Sequence, residues 1–120
     1  MFELNIKKEF SSAHRLREYR GKCEALHGHN WRVEVSLASG KLDKIGMVMD
    51  FKKVKEALNG VLSKLDHTYL NELGFFKKIN PTSENIARYI FDDLKKRIKG
   101  VKVAGVTVWE TDSSAATYSE

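Results

Sequence analysis

The chain has 120 residues, of which 42% are hydrophobic and 31% charged, and a formal net charge of +5; that length builds one domain, residues 1–120, with a real core and is too short for two. No apolar run approaches the roughly 20 residues of a membrane helix, and residues 1–4 lack the basic-then-apolar pattern of a leader. The single cysteine makes no internal disulfide, so the expectation is a cytoplasmic protein with no membrane partner and a thiol, Cys23, free for chemistry.

The positive charge collects in lysine-rich segments such as 52–55 and 95–99. No nucleic-acid signature accompanies them, so they read as solvated helix faces, with no nucleic acid as partner. A basic surface does favour an anionic substrate.

Residues 2–10 place Phe2, Leu4, Ile6 and Phe10 on alternate positions, with Lys8 the exception, and read as a strand that delivers His14 beyond its far end. Residues 16–26 are charged, contain Gly21 and show no period. They form a loop carrying Cys23. A second strand over 31–37 alternates Trp31, Val33, Val35 and Leu37 with polar residues, and a short third one is expected over 47–49. Asp50 is a good N-cap for a helix whose apolar residues Phe51, Val54, Leu58, Val61, Leu62 and Leu65 recur at helical spacing, ending near Asp66-His67. The connection 68–80 carries Phe75-Phe76, part of which must be packed.

Thr82 or Ser83 caps a second helix, with Ile86, Ile90, Phe91, Leu94 and Ile98 on its buried face and Gly100 as its stop. A last strand over 101–109 puts Val101, Val103 and Trp109 on one face and Val106 and Val108 on the other; a strand apolar on both faces calls for a second subunit as cover. The tail 112–120 is polar and expected to fray. The order β-β-β-α-α-β predicts an α+β fold, a four-stranded antiparallel sheet with two helices on one face.

Chemistry concentrates in Cys23-Glu24-Ala25-Leu26-His27-Gly28-His29. Two histidines one residue apart, running into a strand, point to the same side, and two imidazoles on one face can hold one metal ion. A catalytic zinc takes three protein ligands and keeps an open position, which makes His14 the candidate third ligand. Cys23, in a polar loop beside Lys22, is favoured as a thiolate. Spacing also allows it as a fourth, structural ligand.

Six motifs in order resemble the 6-pyruvoyl-tetrahydropterin synthase family, closest to its 6-carboxytetrahydropterin synthase branch in queuosine synthesis. They are Phe10-Ser11-Ser12-Ala13-His14-Arg15-Leu16, Cys23-x3-His27-Gly28-His29-Asn30, Val48-Met49-Asp50-Phe51, Leu65-Asp66-His67-x2-Leu70-Asn71, Asn80-Pro81-Thr82-Ser83-Glu84 and Trp109-Glu110-Thr111. The resemblance implies a tunnelling fold, trimers that close their sheets into a barrel, and a homohexamer made of two trimers. It implies Zn2+ on His14, His27 and His29, with Cys23, Asp66 and His67 as acid-base residues and Glu110 as the anchor of the pterin ring.

Read without the resemblance, Asp66-His67 is a helix C-terminus and Glu110 an exposed strand end. The implied activity is a zinc-dependent lyase that takes 7,8-dihydroneopterin triphosphate to 6-carboxytetrahydropterin, releasing acetaldehyde and triphosphate. Some relatives replace the cysteine with a glutamate at the Glu-x2-His-Gly-His position and form 6-hydroxymethyl-dihydropterin; this chain has both residues, so Glu24 is an alternative base and a dual activity is open. The same motifs also suit a 6-pyruvoyl-forming enzyme, or a zinc-stabilised pterin-binding module with no turnover.

Overall fold

A computed structural model describes all 120 residues. The elements run β1 (Phe2–His14), β2 (His27–Ser39), α1 (Phe51–Leu62), β3 (Thr68–Tyr69), α2 (Ser83–Arg97), β4 (Lys102–Thr111) and β5 (Ser114–Tyr118). They form a five-stranded sheet in the order β3-β1-β2-β4-β5; β3 runs parallel to β1 and every other pair is antiparallel. The α+β class and the two helices stand as expected. The four-stranded, wholly antiparallel sheet and the β-β-β-α-α-β order do not.

Three differences account for that correction. Residues 47–49 form no strand, because Asp43 gathers the backbone amides of Ile45 and Met47 into a turn. The tail does not fray: residues 114–118 pair with β4, Tyr118 packs edge-on against Phe91 at 5.0 Å between ring centroids, and Glu120 pairs with Lys95 at 2.7 Å. The two-residue β3 extends the other edge of the sheet beside Ser12 and Ala13.

Burial alternates strictly along β1 and β2: Leu4, Ile6, Phe10, Ser12 and His14 face the core from one, and Trp31, Val33, Val35 and Leu37 from the other. Against this face pack Val54, Leu58, Val61 and Leu62 of α1 and Ile86, Ala87, Ile90, Phe91 and Leu94 of α2. Each fully buried Val, Leu or Ile contributes about 1.5–3 kcal/mol relative to exposure, so apolar burial holds β1 and β2 in the register that sets His14 opposite His27.

Asp50 caps α1 by accepting from the Lys52 amide at 2.9 Å, and Thr82 caps α2 by accepting from the Asn85 amide at 3.1 Å. The first helix stops at Leu62, earlier than its apolar period suggests, and the chain turns through 63–67. Phe76 is buried and Phe75 exposed, so the connection is packed in part.

The reading of β4 as apolar on both faces is corrected by a β-bulge. Ser36 pairs with Gly105 and Leu37 with Val103, leaving Ala104 unpaired. The extra residue flips the alternation, so Val103, Val106 and Val108 all face the core. The strand therefore gives no argument for a second subunit. No helix is long and apolar enough to cross a membrane.

Candidate metal and active site

His14 ends β1 and His27 opens β2, directly opposite in register; His29 follows two residues on. Side-chain alternation turns all three to the core side of the sheet, past its last aromatic layer. That layer is Phe10 stacked on Trp31, and the fully buried Trp31 ring meets His14 and His29 edge-on at 4.8 and 5.2 Å.

The ring tautomers follow from the partners. His14 Nδ1 lies 2.8 Å from the Pro81 carbonyl and His27 Nδ1 lies 2.9 Å from the Ala25 carbonyl. A carbonyl only accepts, so each Nδ1 carries the proton and each Nε2 is left with a lone pair. Those two Nε2 atoms stand 3.0 Å apart, where they cannot bond each other unless one ring gains a second proton. Burial acts against that, lowering the His14 pKa below its ordinary value; the Pro81 carbonyl and the Glu110 carboxylate pull part of the way back. His29 Nε2 is buried with no hydrogen-bond partner. The three ligand nitrogens lie within 4.8 Å of one another. Three converging nitrogens, two with free lone pairs and one without a partner, fit a cation at their centre.

Glu110 completes this end of the sheet. The β4–β5 register shifts between Trp109 and Thr111, so Glu110 sits in a second bulge, a device that re-aims a side chain. Its carboxylate oxygens lie 3.5 Å from His29 Nε2 and 3.9 Å from His14 Nε2.

Asp66 and His67 form a separate pair at the β1 edge of the sheet. Asp66 Oδ1 accepts from the Ser11 amide at 2.8 Å, the His67 amide donates to the Ser11 carbonyl at 2.6 Å, and Asp66 Oδ2 meets His67 Nδ1 at 3.0 Å. Consecutive helical residues could not make that last contact; here α1 has ended and His67 takes φ +55°. The Ser11 amide, and then His67, hold the Asp66 carboxyl below its usual range. The His67 side chain is 81% exposed. The structure thus joins His14, His27, His29 and Glu110 in one group and Asp66 with His67 in another.

Cys23 is exposed on the loop between β1 and β2, and its sulfur does not join the three nitrogens. Glu24 Oε1 accepts from the Leu16 amide at 3.2 Å and lies 3.7 Å from His27 Nδ1, the side of that ring away from the ligand nitrogens. The largest cleft, 540 Å³ between the start of β1 and residues 42–51, is mostly apolar and holds none of these residues.

The sequence did not reveal what the amide-bearing motifs do. Asn71 Oδ1 accepts from the Arg15 amide at 3.0 Å while its Nδ2 donates to the Arg15 carbonyl at 2.8 Å. Asn80 holds Arg17 in the same way, at 2.8 and 3.0 Å. Only their place inside the motifs Leu70-Asn71 and Asn80-Pro81 marked them.

Fold and site together define a tunnelling-fold protein whose sheet end could hold a metal ion. The family model described as 6-pyruvoyl tetrahydropterin synthase matches residues 3–120. A Synechocystis 6-carboxy-5,6,7,8-tetrahydropterin synthase is 44% identical over 122 residues, covering 94% of this chain and 91% of the relative. A Pyrococcus furiosus dihydroneopterin monophosphate aldolase is 42% identical over 88 residues, covering 72% of each. The structure of Caenorhabditis elegans 6-pyruvoyl tetrahydropterin synthase superposes with a TM-score of 0.85 at 31% identity, covering 99% of this chain and 95% of that one. The chain belongs to the 6-pyruvoyl tetrahydropterin synthase family.

Proposed function

We propose that the protein is a zinc-dependent lyase that converts 7,8-dihydroneopterin triphosphate and one water to 6-carboxy-5,6,7,8-tetrahydropterin, releasing acetaldehyde and triphosphate. The observation that carries this reading is the convergence of three imidazole nitrogens, two of them left with lone pairs by the carbonyls at their Nδ1 atoms, beside a carboxylate. Three neutral ligands suit zinc with an open position, and the metal would act as a Lewis acid toward the substrate's side-chain oxygens, making adjoining C–H bonds more acidic.

The protein's own residues divide the remaining work. Glu110 receives the pterin ring, its carboxylate accepting from a ring N–H and the exocyclic amine. Cys23 Sγ removes and returns a proton on one side of the side chain. His67 Nε2, its ring held at Nδ1 by Asp66, serves the other. The exposure of that pair suits a site completed across subunits.

We take the assembly to be a homohexamer of two trimers. The β1 edge is unpaired ahead of Ser12, and Phe2, Leu42, Ile45, Met47 and Phe51 leave large apolar surface exposed around the 540 Å³ cleft. Light scattering is expected to give several times the 13.7 kDa chain mass. An active monomer would contradict the shared site.

A second reading has Glu24 as the base of a side-chain cleavage that forms 6-hydroxymethyl-dihydropterin. The aldolase relative favours it, as does Glu24 beside His27. Product mass from dihydroneopterin triphosphate separates the two. Glu24→Ala is expected to leave 6-carboxytetrahydropterin formation within about tenfold of wild type, against about 10²–10⁴ for loss of a general base. A 6-hydroxymethyl main product, abolished by Glu24→Ala and not by Cys23→Ala, would establish the second reading.

A further inference from the structure

Arg17 lies in the loop between β1 and β2 and makes no ion pair. Its guanidinium instead donates to three backbone carbonyls: Nη1 to Ile79 at 3.1 Å, and Nη2 to Asn71 at 3.1 Å and Phe76 at 2.7 Å. Residues 70–72 and 74–76 are single turns of 3-10 helix, whose final carbonyls have no partner within the turn. One planar cation gathers three carbonyls of this connection.

The same connection grips the loop in return, since Asn71 and Asn80 each hold one backbone unit of it, at Arg15 and Arg17. Both grips bear on the candidate site. The residue after Asn80 is Pro81, whose carbonyl fixes the His14 tautomer. The residue before Arg17 is Leu16, whose amide and carbonyl take the Glu24 carboxylate and the Glu24 amide, at 3.2 and 2.8 Å. A rigid connection therefore sets the His14 ring from one side and the Cys23-Glu24 segment from the other.

We infer that Arg17 is a positioning residue: by binding the carbonyls of residues 71, 76 and 79 it locks the 71–81 connection to the loop, holding His14 and Cys23 in one frame. A guanidinium spent this way is not available to the substrate's phosphates, so the role is distinct from anion binding. The inference rests on the proposed lyase activity only in its kinetic arm.

The test compares wild type, Arg17→Met, Arg17→Lys and Asn80→Ala as full chains, by hydrogen-deuterium exchange of backbone amides and by steady-state kinetics with dihydroneopterin triphosphate. In Arg17→Met, exchange over residues 15–26 and 71–81 is expected to rise about tenfold or more, the scale of losing hydrogen bonds from a charged donor, while α2 and β4 keep theirs. Turnover should fall about tenfold with KM moving less than about threefold, the signature of misplaced chemistry rather than lost substrate binding. Arg17→Lys, which keeps the charge without the fork, should recover only part of both. Asn80→Ala, which leaves the guanidinium in place, should loosen the same two segments and serves if Arg17→Met does not fold.

Unchanged exchange over 15–26, or a rise spread evenly across α2 and β4, would overturn the inference. So would a large rise in KM with turnover intact, which would make Arg17 a substrate contact. If wild type turns over no pterin, the lyase reading fails while the exchange pattern still decides whether Arg17 holds the frame.

Discussion

Cys23→Ala is expected to keep its metal and lose turnover by about 10²–10⁴, the usual cost of deleting a general base. The sulfur stands apart from the three imidazole nitrogens, so its removal leaves the ligand set unchanged. The loop should hold its shape as well, because its internal contacts belong to other residues: Gly21 to Glu18, Lys22 to Tyr19 and Glu24 to Leu16 through the backbone. Metal content and turnover measured on one preparation decide the matter. Loss of the metal with the thiol would make Cys23 a fourth, structural ligand and remove its catalytic role.

His29→Ala is expected to abolish metal-dependent stabilisation while leaving the metal-free fold almost untouched. Its Nε2 is buried without a partner, so in the metal-free protein the ring contributes an unsatisfied polar atom rather than a bond. Wild type should gain about 2.7 kcal/mol when free zinc stands at a hundred times its Kd. Chelator should therefore lower the wild-type unfolding midpoint by several degrees and leave that of His29→Ala where it is. An equal response of both proteins to chelator would place the ion elsewhere.

Much of the site was legible in the sequence because chemistry and periodicity coincide there. His27-Gly28-His29 runs straight into an alternating strand, and the alternation that buries Trp31 and Val33 carries both imidazoles to the same side. Asp50 and Thr82 were readable as caps, since a short polar side chain ahead of an amphipathic run has few other uses. The bulge at Ala104 was not. Alanine and glycine carry no facial preference, so nothing in Val103-Ala104-Gly105-Val106 marks where the alternation changes phase. Strand β5 escaped notice because Ser114-Ala115-Ala116-Thr117-Tyr118 has one large apolar side chain, and its pairing depends on β4 being present. The roles of Asn71 and Asn80 were hidden for a different reason: a side-chain amide that mimics a strand partner needs another segment's backbone at hand, and no local pattern records where that segment lies.

The left-handed backbone of His67 narrows what can stand at that position. Residues with a Cβ rarely take φ +55°, asparagine, aspartate and histidine do so more readily than the rest, and glycine is free of the restriction. An alanine there removes the imidazole and also puts a residue less at ease with positive φ in its place, so its phenotype mixes two effects. His67→Asn keeps a residue at ease in that conformation and isolates the chemistry. Over evolutionary drift, a gene that gives up the histidine meets the least backbone cost by moving to asparagine, aspartate or glycine. Descendants of this chain that have left its chemistry behind should carry one of those three at position 67.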